Sequence, residues 1–571
     1  SLQAMELTAT AAPLQQLDAL PDATLADIVA KRQAYAALQA GAGDDGLTLA
    51  MHLYCAAFLL PKHGTETSTA VPTTQDVMNA LLGQPVAPLK REVAQRLAAN
   101  TPLLHWRLGF AQVFARGGFT IVLGNPPWDQ SQFSDVEFFA SRAPAIAELA
   151  GDARKRAIGR LEAEEPLLWA ELRRETRVVE AQNSFFRGSG RYPLTAVGKL
   201  NTYPLFAETT LQVLQSEGRA GLVLPSGIAT DDSTSAFFGE ISKGRIAQLI
   251  DFENRDAIFP GVHRSYKFCL LTLGTAPEAR FAFFLTNAEQ LTDPRRSFTL
   301  SADDIARLNP NTRTCPIFRS QRDAEITKRI YQRVPVLWDE AKPDGNLWAI
   351  TFRQGLFNMT SDSGLFRDAR RRGELADPVP LYEAKMVHQF DHRWATYMGD
   401  GDESRDVTDA EKQDATRAVQ PRYWVERSVV SSALADKGWQ AAWILGYRRN
   451  ARNNDERTTI FSAMPRVGCG DSLFLTLSAQ PSPGRIAAFF ASMNSLAQDF
   501  VARQKVGGVN FSFYFLKQLA VLPPSTYTHD ALNTIVPLVL ELTYTAHDLQ
   551  PFYADVVAEN PAWDSRTGAD R

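Results

Sequence analysis

The 571-residue sequence has few cysteines and no long apolar run, and both absences limit what the chain can be. Its four cysteines, Cys55, Cys269, Cys315 and Cys469, lie far apart without Cys-x-x-Cys spacing, which argues against a disulfide framework or a thiolate zinc site. The longest apolar stretch, residues 51–60, is half of the roughly 20 residues that a membrane-spanning helix needs. We therefore expect a cytoplasmic protein that does not cross a membrane.

The chain also lacks a strong net charge, since 60 Lys and Arg stand against 64 Asp and Glu, a formal charge of −4. A positive coat over the whole surface is therefore excluded, and any nucleic-acid surface must be a local patch. The N-terminal residues contain no basic stretch followed by an apolar one, so we expect no secretion signal. With 45% hydrophobic and 22% charged residues, the composition is that of a folded protein with several domains.

Three regions follow one another along the chain. Residues 1–100 predict a helical lobe, and residues 101–300 alternate β-rich runs with helices, which is typical of an α/β sheet with crossover helices. A charge-dense helical insertion interrupts the second region at 135–176. Residues 301–571 have mixed periodicity and contain an acidic stretch, 399–414, that we interpret as a loop. Apolar residues of the lobe recur at helical spacing: Leu25, Ile28, Val29, Tyr35 and Leu38.

One short motif stands well above background. The apolar run 119–123 predicts a buried strand, and the tetrad Asn125-Pro126-Pro127-Trp128 follows one residue later. By average residue usage, asparagine, two prolines and an aromatic residue occur in this order by chance in on the order of 1% of chains this long. In open α/β sheets ligands bind beyond the carboxyl ends of the strands, which is where we expect the tetrad to project.

The tetrad has the groups needed to activate the exocyclic amine of adenine. The amide oxygen of Asn125 and the carbonyl of Pro126 can accept the two amine protons, which leaves the nitrogen lone pair pointing at an electrophile. Two prolines stiffen the corner and remove competing N–H donors. Trp128 offers a flat face on which an extruded base can stack, an interaction worth roughly 1–3 kcal/mol. The alternative is a proline-rich turn with a half-buried tryptophan.

In these residues the sequence resembles the adenine-specific amino-methyltransferases of DNA, more narrowly those of the gamma arrangement in fused type II restriction–modification proteins and in phage-defence systems such as BREX and DISARM. Further similarity lies at 200–208 and 218–226, which match the family's next helix and strand. The resemblance implies an α/β fold, with a partial Rossmann-like catalytic domain at 101–300, the helical lobe before it and a mixed α+β target-recognition domain at 301–571. It also implies S-adenosylmethionine as methyl donor and double-stranded DNA as substrate.

The resemblance assigns roles outside the tetrad as well. Asn201 and Phe206 lie in the helix against which the family places the adenine of the donor, although Phe206 also falls on an apolar helical face. Tyr266 or Phe268 would be the second aromatic residue around the target base. The family holds the donor on a glycine-rich turn upstream of the tetrad, and only residues 41–46 come close, after a helix rather than a strand. We therefore expect the downstream part of a longer or split enzyme, completed by an upstream part or a companion subunit and binding the donor poorly by itself.

A basic segment with interleaved aromatic residues, 417–457, predicts a DNA-reading surface, the alternative being an ordinary exposed basic face. It has eight basic and four acidic residues. Arginine contacts phosphates and guanine edges, and asparagine can pair with adenine. Two more segments, 382–393 and 503–510, resemble the family's target-recognition region. Together these segments contain the candidate DNA contacts Lys385, Arg422, Arg448, Arg449, Asn453 and Lys505.

Two other clusters are assigned no function. Asp377, Glu383 and Lys385 mimic a nuclease motif, but the gap between the acids is short. His388 and His392 are spaced to face one metal on a helix, but no third ligand is evident and no metal site is expected. The sequence therefore predicts part of a DNA adenine methyltransferase, and the alternative is a DNA-binding specificity or sensing subunit without catalysis of its own.

Overall fold

The computed structural model describes residues 11–42, 45–62, 69–399, 401, 403–480, 482–506 and 509–564. The chain divides into two compact units, residues 1–281 with 285–287 and residues 282–284 with 288–571. Each unit has a hydrophobic core. No helix within the described ranges has both the length and the apolar character of a membrane span.

The first unit begins with helices, as the sequence predicts. Residues 11–18 are helical, and four helices follow, α1 (Leu25–Ala42), α2 (Gly46–Leu59), α3 (Thr74–Leu81) and α4 (Pro88–Asn100). Helices α2, α3 and α4 pack around a shared core that includes the fully buried Leu53 and Ala94. In contrast, most of the apolar residues that identified α1 are exposed: Leu25, Ile28, Val29 and Tyr35.

The tetrad region starts with two short helices, α5 (Trp106–Gly109) and α6 (Ala111–Phe114), and with strand β1 (Phe119–Gly124). The crossover after β1 contains α7 (Asp135–Arg142), α8 (Pro144–Ala147), α9 (Gly151–Glu164), α10 (Pro166–Gly188) and α11 (Thr202–Val213). Helices thus cover most of the segment 135–176 and continue to residue 188. It has a small core of its own, formed by Phe138, Phe139, Leu161 and Leu172.

Four strands follow, β2 (Leu214–Pro225), β3 (Ile246–Glu253), β4 (Lys267–Leu273) and β5 (Glu278–Leu285). Helices α12 (Gly227–Thr230) and α13 (Ser235–Ile241) lie between β2 and β3. The strand order is β1-β2-β4-β3-β5, and the boundary between the two units falls within β5. Strands β1 and β2 are parallel, whereas β4 is antiparallel to β2 and β3. The α/β fold class with crossover helices is confirmed.

The prediction that β1 is a buried strand is wrong. This strand is the first in the sheet order, and its side chains Ile121 and Leu123 are 70% and 78% exposed. One edge of β1 pairs with β2, from Phe119 opposite Leu214 to Gly124 opposite Leu222, and the other edge pairs with no strand of the described residues. Its apolar sequence is that of a strand covered by neighbours. Among the described residues, nothing covers Ile121 and Leu123 to that extent.

The second unit is mixed α+β, as predicted. Its described strands include β6 (Ser297–Ser301), β7 (Ile350–Arg353), β8 (Pro378–Tyr382), β9 (Ala395–Met398), β10 (Glu403–Asp406), β11 (Tyr423–Glu426), β12 (Trp443–Arg448), β13 (Phe461–Pro465), β14 (Gly468–Cys469) and β15 (Leu473–Ser478). The strands from β7 onward form sheets in the orders β11-β8-β14, β13-β12-β15-β7 and β10-β9. The helices are α14 (Ala302–Leu308), α15 (Gln321–Arg333), α16 (Asp409–Lys412), α17 (Arg427–Ala435), α18 (Pro483–Met493), α19 (Leu496–Arg503), α20 (Phe513–Leu516), α21 (His529–Thr543) and α22 (Gln550–Glu559).

The acidic stretch 399–414, which we interpreted as a loop, has regular structure in its described residues. Strands β9 and β10 form a hairpin, and α16 follows with a capping box between Thr408 and Glu411. Glu411 also pairs with Arg405 and Arg417, each at 2.6 Å. Hydrogen bonds from Arg405 and Thr408 lower the pKa of Glu411. Local pairing of opposite charges therefore stabilises regular structure in a segment whose composition alone predicted a loop.

Two half-buried histidines are expected to make the first unit sensitive to acid. The rings of His52 and His105 lie 5.3 Å apart, centroid to centroid. Their Nδ1 and Nε2 atoms, respectively, are buried without a hydrogen-bond partner among the described residues. Burial lowers the pKa of both, and that of His105, which His52 and Arg191 also depress, to about 4.

Protonation should therefore favour the unfolded chain, in which histidine has a pKa of about 6.5. The stabilisation is complete above that pH and is lost as the pH falls toward the folded-state value. We predict that the unfolding temperature of the wild type falls more steeply between pH 7 and 4.5 than that of His105→Gln, as followed by circular dichroism. The exposed His529 provides the control, and His529→Gln should keep the wild-type slope. Equal slopes for all three proteins would contradict the assignment.

Candidate functional site

The tetrad lies at the carboxyl end of β1, beside the last residues of β2. Gly124, which ends β1, is in register with Leu222 of β2. Asn125 and Pro127 are exposed, Pro126 is buried, and Trp128 is half-buried. The indole N–H of Trp128 donates to the Val223 carbonyl at 3.4 Å, which attaches the ring to the neighbouring strand.

A cavity of about 860 Å³ opens beside the tetrad. This volume lies within the roughly 300–1,000 Å³ typical of small-molecule sites. Asn125 and the two prolines line one part, the exposed side chains of β1 line another, and Phe206 of α11, 49% exposed, lines a third. Within the described residues, the Asn125 side chain makes no hydrogen bond. Its amide is therefore available to a ligand.

Helix α11 is attached to the loop that follows the tetrad. The Thr202 hydroxyl donates to the Pro127 carbonyl at 2.7 Å and accepts from the Asp129 N–H at 3.1 Å. Asn201 caps α11 by accepting from the Tyr203 N–H, and its amide nitrogen lies 3.5 Å from the Trp128 carbonyl. Asn201, which the resemblance assigns to the cofactor, is thus engaged with the helix and the loop and does not line the cavity.

The two aromatic residues predicted for the base pocket have different environments. Phe268 is in register with Pro225 of β2 and Phe252 of β3, and its ring stacks on Phe252 with centroids 5.3 Å apart. It is buried and belongs to the core beneath the carboxyl end of β2. Tyr266 is 57% exposed. Of the two, only Tyr266 presents its ring to a ligand.

A buried asparagine that the sequence analysis missed holds the loop before Tyr266. The Asn254 side-chain amide donates to the carbonyls of Phe259 and Val262, at 3.0 and 2.8 Å, and accepts from the Phe259 N–H at 2.9 Å. Its backbone N–H donates to the Tyr266 carbonyl at 2.9 Å. The sequence did offer one signal, a polar residue directly after strand β3. It gave no pattern from which the hydrogen-bond partners of Asn254 could be predicted.

Two titratable groups near this end of the sheet have pKa values raised by burial, and a third is hydrogen-bonded to a neighbouring side chain. Burial raises the pKa of Asp231, and burial followed by the charge of Asp231 raises that of Tyr203. Ser226, directly after β2, donates a short hydrogen bond to the buried Asp251. No cluster of three or more metal-ligating side chains occurs among the described residues. An exposed amide and aromatic rings beside a mostly apolar wall suit an uncharged aromatic ligand.

The predicted DNA contacts of the second unit lie in several environments. Lys385 and Arg422 are exposed. The Lys385 Nζ lies 4.7 Å from the centroid of the Tyr397 ring, and the Arg422 Cζ lies 5.2 Å from the centroid of the Tyr423 ring. Arg448 is half-buried, and its Nε donates to the Val387 carbonyl at 2.7 Å. The aromatic residues interleaved in this segment are mostly core residues: Trp424, Trp439, Trp443 and Tyr447.

The remaining candidates are less accessible. Arg449 and Asn453 are half-buried, and the Asn453 carbonyl accepts from Arg503. Lys505 is only 5% exposed, its Nζ donates to the Leu308 carbonyl and to Asn309, and burial lowers its pKa. This burial contradicts the prediction that Lys505 contacts DNA. The neighbouring Gly507 and Gly508 lie outside the described residues.

The clusters left without a function have structural partners. Asp377 pairs with Arg427 at 2.7 Å, and the fully buried His392 pairs with Asp548 at 2.8 Å. These contacts explain both groups as parts of the fold. Of the glycine segment 41–46, residues 43 and 44 lie outside the described part of the chain.

No family model and no curated protein matches this sequence. Among solved structures, the chain is similar to the type IIG restriction endonuclease BpuSI, with 12% identity, a TM-score of 0.26 and coverage of 92% of this chain and 66% of that chain. The type IIL restriction–modification enzyme MmeI in complex with DNA has 10% identity and a TM-score of 0.31, with coverage of 79% of this chain and 54% of that chain. A type I restriction–modification methyltransferase subunit from Streptococcus thermophilus has 14% identity and a TM-score of 0.22, with coverage of 47% of this chain and 58% of that chain. The chain thus spans between about half and two thirds of these solved chains.

Proposed function

We propose that the chain is the downstream part of a DNA adenine methyltransferase of a restriction–modification or phage-defence system. The observation that supports this function is the tetrad itself. At the carboxyl end of an α/β sheet, it places the unbound amide of Asn125 beside a cavity, with Trp128 attached to the next strand. A purine amine needs such an acceptor, and an extruded base needs such a ring.

In the proposed reaction, the amine of a flipped adenine attacks a methyl group directly. S-adenosylmethionine supplies this methyl group as a sulfonium, so no separate activation step is needed. The Asn125 amide oxygen and the Pro126 carbonyl accept the amine protons and direct the lone pair. Trp128 would stack on the base, and Tyr266, which is exposed but does not line the cavity, is the candidate for a second aromatic residue around the base. As the new N–C bond forms, the electron pair of the broken S–C bond would stay on the donor's sulfur, and the nitrogen would release one proton to solvent.

The residues of this chain provide only part of a donor site. Phe206 exposes an aromatic ring to the cavity, which suits the adenine of the donor. The charged end of the donor requires hydrogen-bond acceptors and close backbone approach, which a glycine-rich turn after a strand would give. The described residues contain no such turn before β1. We propose that the remainder of the site comes from a partner.

The open edge of β1 is the surface that we assign to this partner. Ile121 and Leu123 lie on one face of the strand and line the cavity. A single α/β unit that adds a strand beside β1 would both cover these side chains and complete the donor site. Exposed apolar edges otherwise promote non-specific association. We infer an α/β unit, encoded upstream in the same chain or as a companion subunit.

In the second unit, Lys385 and Arg422 are the candidate DNA contacts that we retain first, because both are exposed. Arg449 and Asn453 are half-buried and can contribute to DNA binding at the edge of the proposed surface. Arg448 supports the backbone at Val387, so we assign it a positioning role beside Lys385. The alternative function, a DNA-binding subunit without catalysis, uses the same surface and differs only at the tetrad.

Methyl transfer should depend on Asn125. With the upstream part present, we predict that Asn125→Ala lowers incorporation of tritiated methyl into duplex DNA by about 100-fold, because a preorganised polar group at the reacting nitrogen is lost. DNA affinity should remain unchanged, and Asn100→Ala, an exposed asparagine of α4, is the matched control. Equal rates for both variants would remove Asn125 from the mechanism. A complex that binds DNA but transfers no methyl would favour the alternative function.

DNA binding should depend on the two exposed cations of the second unit. We predict that the double variant Lys385→Glu and Arg422→Glu binds duplex DNA more weakly and lowers the salt-dependence slope by about two, as two phosphate contacts are lost. The control reverses Arg156 and Arg174, exposed on α9 and α10, with the same change in net charge. Fluorescence anisotropy at several salt concentrations measures both. Equal losses for the two double variants would show a non-specific charge effect.

The β1 edge can be tested by association. We predict that Ile121→Ser with Leu123→Ser weakens binding of the upstream polypeptide at least 10-fold in calorimetry, because apolar area on the edge is removed. Both side chains are exposed in this chain, so its own stability should change little. Leu167→Ser, an exposed leucine at the start of α10, is the control. Unchanged affinity of the double variant would exclude this edge as the interface.

A further inference from the structure

The side chain of Thr202 connects the residues on both sides of Trp128. Its hydroxyl donates to the Pro127 carbonyl at 2.7 Å, accepts from the Asp129 N–H at 3.1 Å and lies 3.2 Å from the Asp129 carbonyl. The backbone N–H of Thr202 donates to the same Asp129 carbonyl at 2.9 Å. One residue of α11 therefore holds the main chain immediately before and immediately after the tryptophan.

The two prolines explain why a side chain from elsewhere is needed. Neither Pro126 nor Pro127 has an N–H, so these two residues cannot donate backbone hydrogen bonds to fix the corner. The loop after the corner continues the attachment, since Gln130 forms a bridge with Asn201 and the Ser131 N–H donates to the Leu200 carbonyl at 3.0 Å. The corner is thus held from the N-terminus of α11.

The same helix carries the donor-facing aromatic residue. Thr202 begins α11, and Phe206 lies four residues later, on the same side of the helix. Both residues line the cavity. A shift of Thr202 relative to Pro127 would therefore change the spacing between the corner and Phe206.

We propose that Thr202 is a positioning residue that sets the spacing between the corner that binds the target base and the helix that binds the methyl donor. The inference rests on the proposed methyl transfer. The Thr202 hydroxyl is engaged with main-chain groups, so it acts through the corner and not on the reacting atoms. Displacement of reacting groups by about 1 Å can cost on the order of 100-fold in rate.

The test compares Thr202→Val, which removes the hydroxyl at similar volume, with Thr202→Ser, which keeps it. With the enzyme completed by its upstream part, steady-state methylation is measured on DNA with adenine at the target position. Base extrusion is measured separately on DNA with 2-aminopurine there, which has no 6-amino group to methylate. We expect Thr202→Val to lower kcat about 10- to 100-fold with the KM for DNA within about twofold. Thr202→Ser should restore kcat to within about threefold. The 2-aminopurine fluorescence, which reports extrusion of the base, should rise less with Thr202→Val.

Thr534→Val is the matched control, because the Thr534 hydroxyl bonds only within its own helix, to the Asp530 carbonyl at 3.0 Å. It should leave kcat and the fluorescence unchanged. An unchanged kcat for Thr202→Val overturns the inference, as does a parallel loss of kcat, DNA affinity and unfolding temperature that serine does not rescue. A completed wild-type enzyme that transfers no methyl would overturn the proposed function, and this inference with it.

Discussion

An apolar parallel strand with one open edge is the constraint on which the rest of the site depends. Strand β1 pairs with β2 on one side, and its Ile121 and Leu123 side chains remain in water on the other. Full burial of each such side chain is worth roughly 1.5–3 kcal/mol, so a partner that covers them gains stability directly. Because the same strand ends at the tetrad and lines the cavity, the proposed partner would cover this strand and complete the proposed donor site at the same place.

The corner after β1 combines stiffness with a lack of its own hydrogen bonds. Prolines restrict the backbone, and the same rings remove the donors that would hold the corner in place. The fold compensates from two directions: Trp128 is bound to β2 through Val223, and Thr202 binds the chain on either side of the tryptophan. Asn125 is left free of these contacts. A rigid frame around one unbound amide is the arrangement that a preorganised acceptor requires.

Local patterns in the sequence predicted the elements better than their surroundings. The limits of β4 and the helices of the insertion follow from alternation and periodicity, which depend on neighbours along the chain. The exposure of β1 does not, because its apolar residues are the same whether or not a neighbouring strand is present. Likewise, Arg422 and Lys505 are both basic residues in the sequence, yet Arg422 is exposed, whereas Lys505 is buried against the Leu308 carbonyl and the Asn309 side chain. The hydrogen bonds of Thr202 connect it to Asp129 and Pro127, which lie 73 and 75 positions earlier in the sequence. No local pattern could predict contacts over such a separation.

The distribution of charge separates chemistry from recognition in the proposed function. The tetrad offers an uncharged amide and a carbonyl beside a mostly apolar cavity, and an aromatic ring attached to β2. In the proposed function these groups would bind a neutral base and give no general affinity for a polyanion. Attraction to phosphates must then come from cations elsewhere, and Lys385 and Arg422 of the second unit are exposed. A chain with a formal charge of −4 can therefore bind DNA through a local patch. Because a neutral site cannot collect DNA by itself, loss of the patch should lower occupancy of the corner without changing the chemistry that follows.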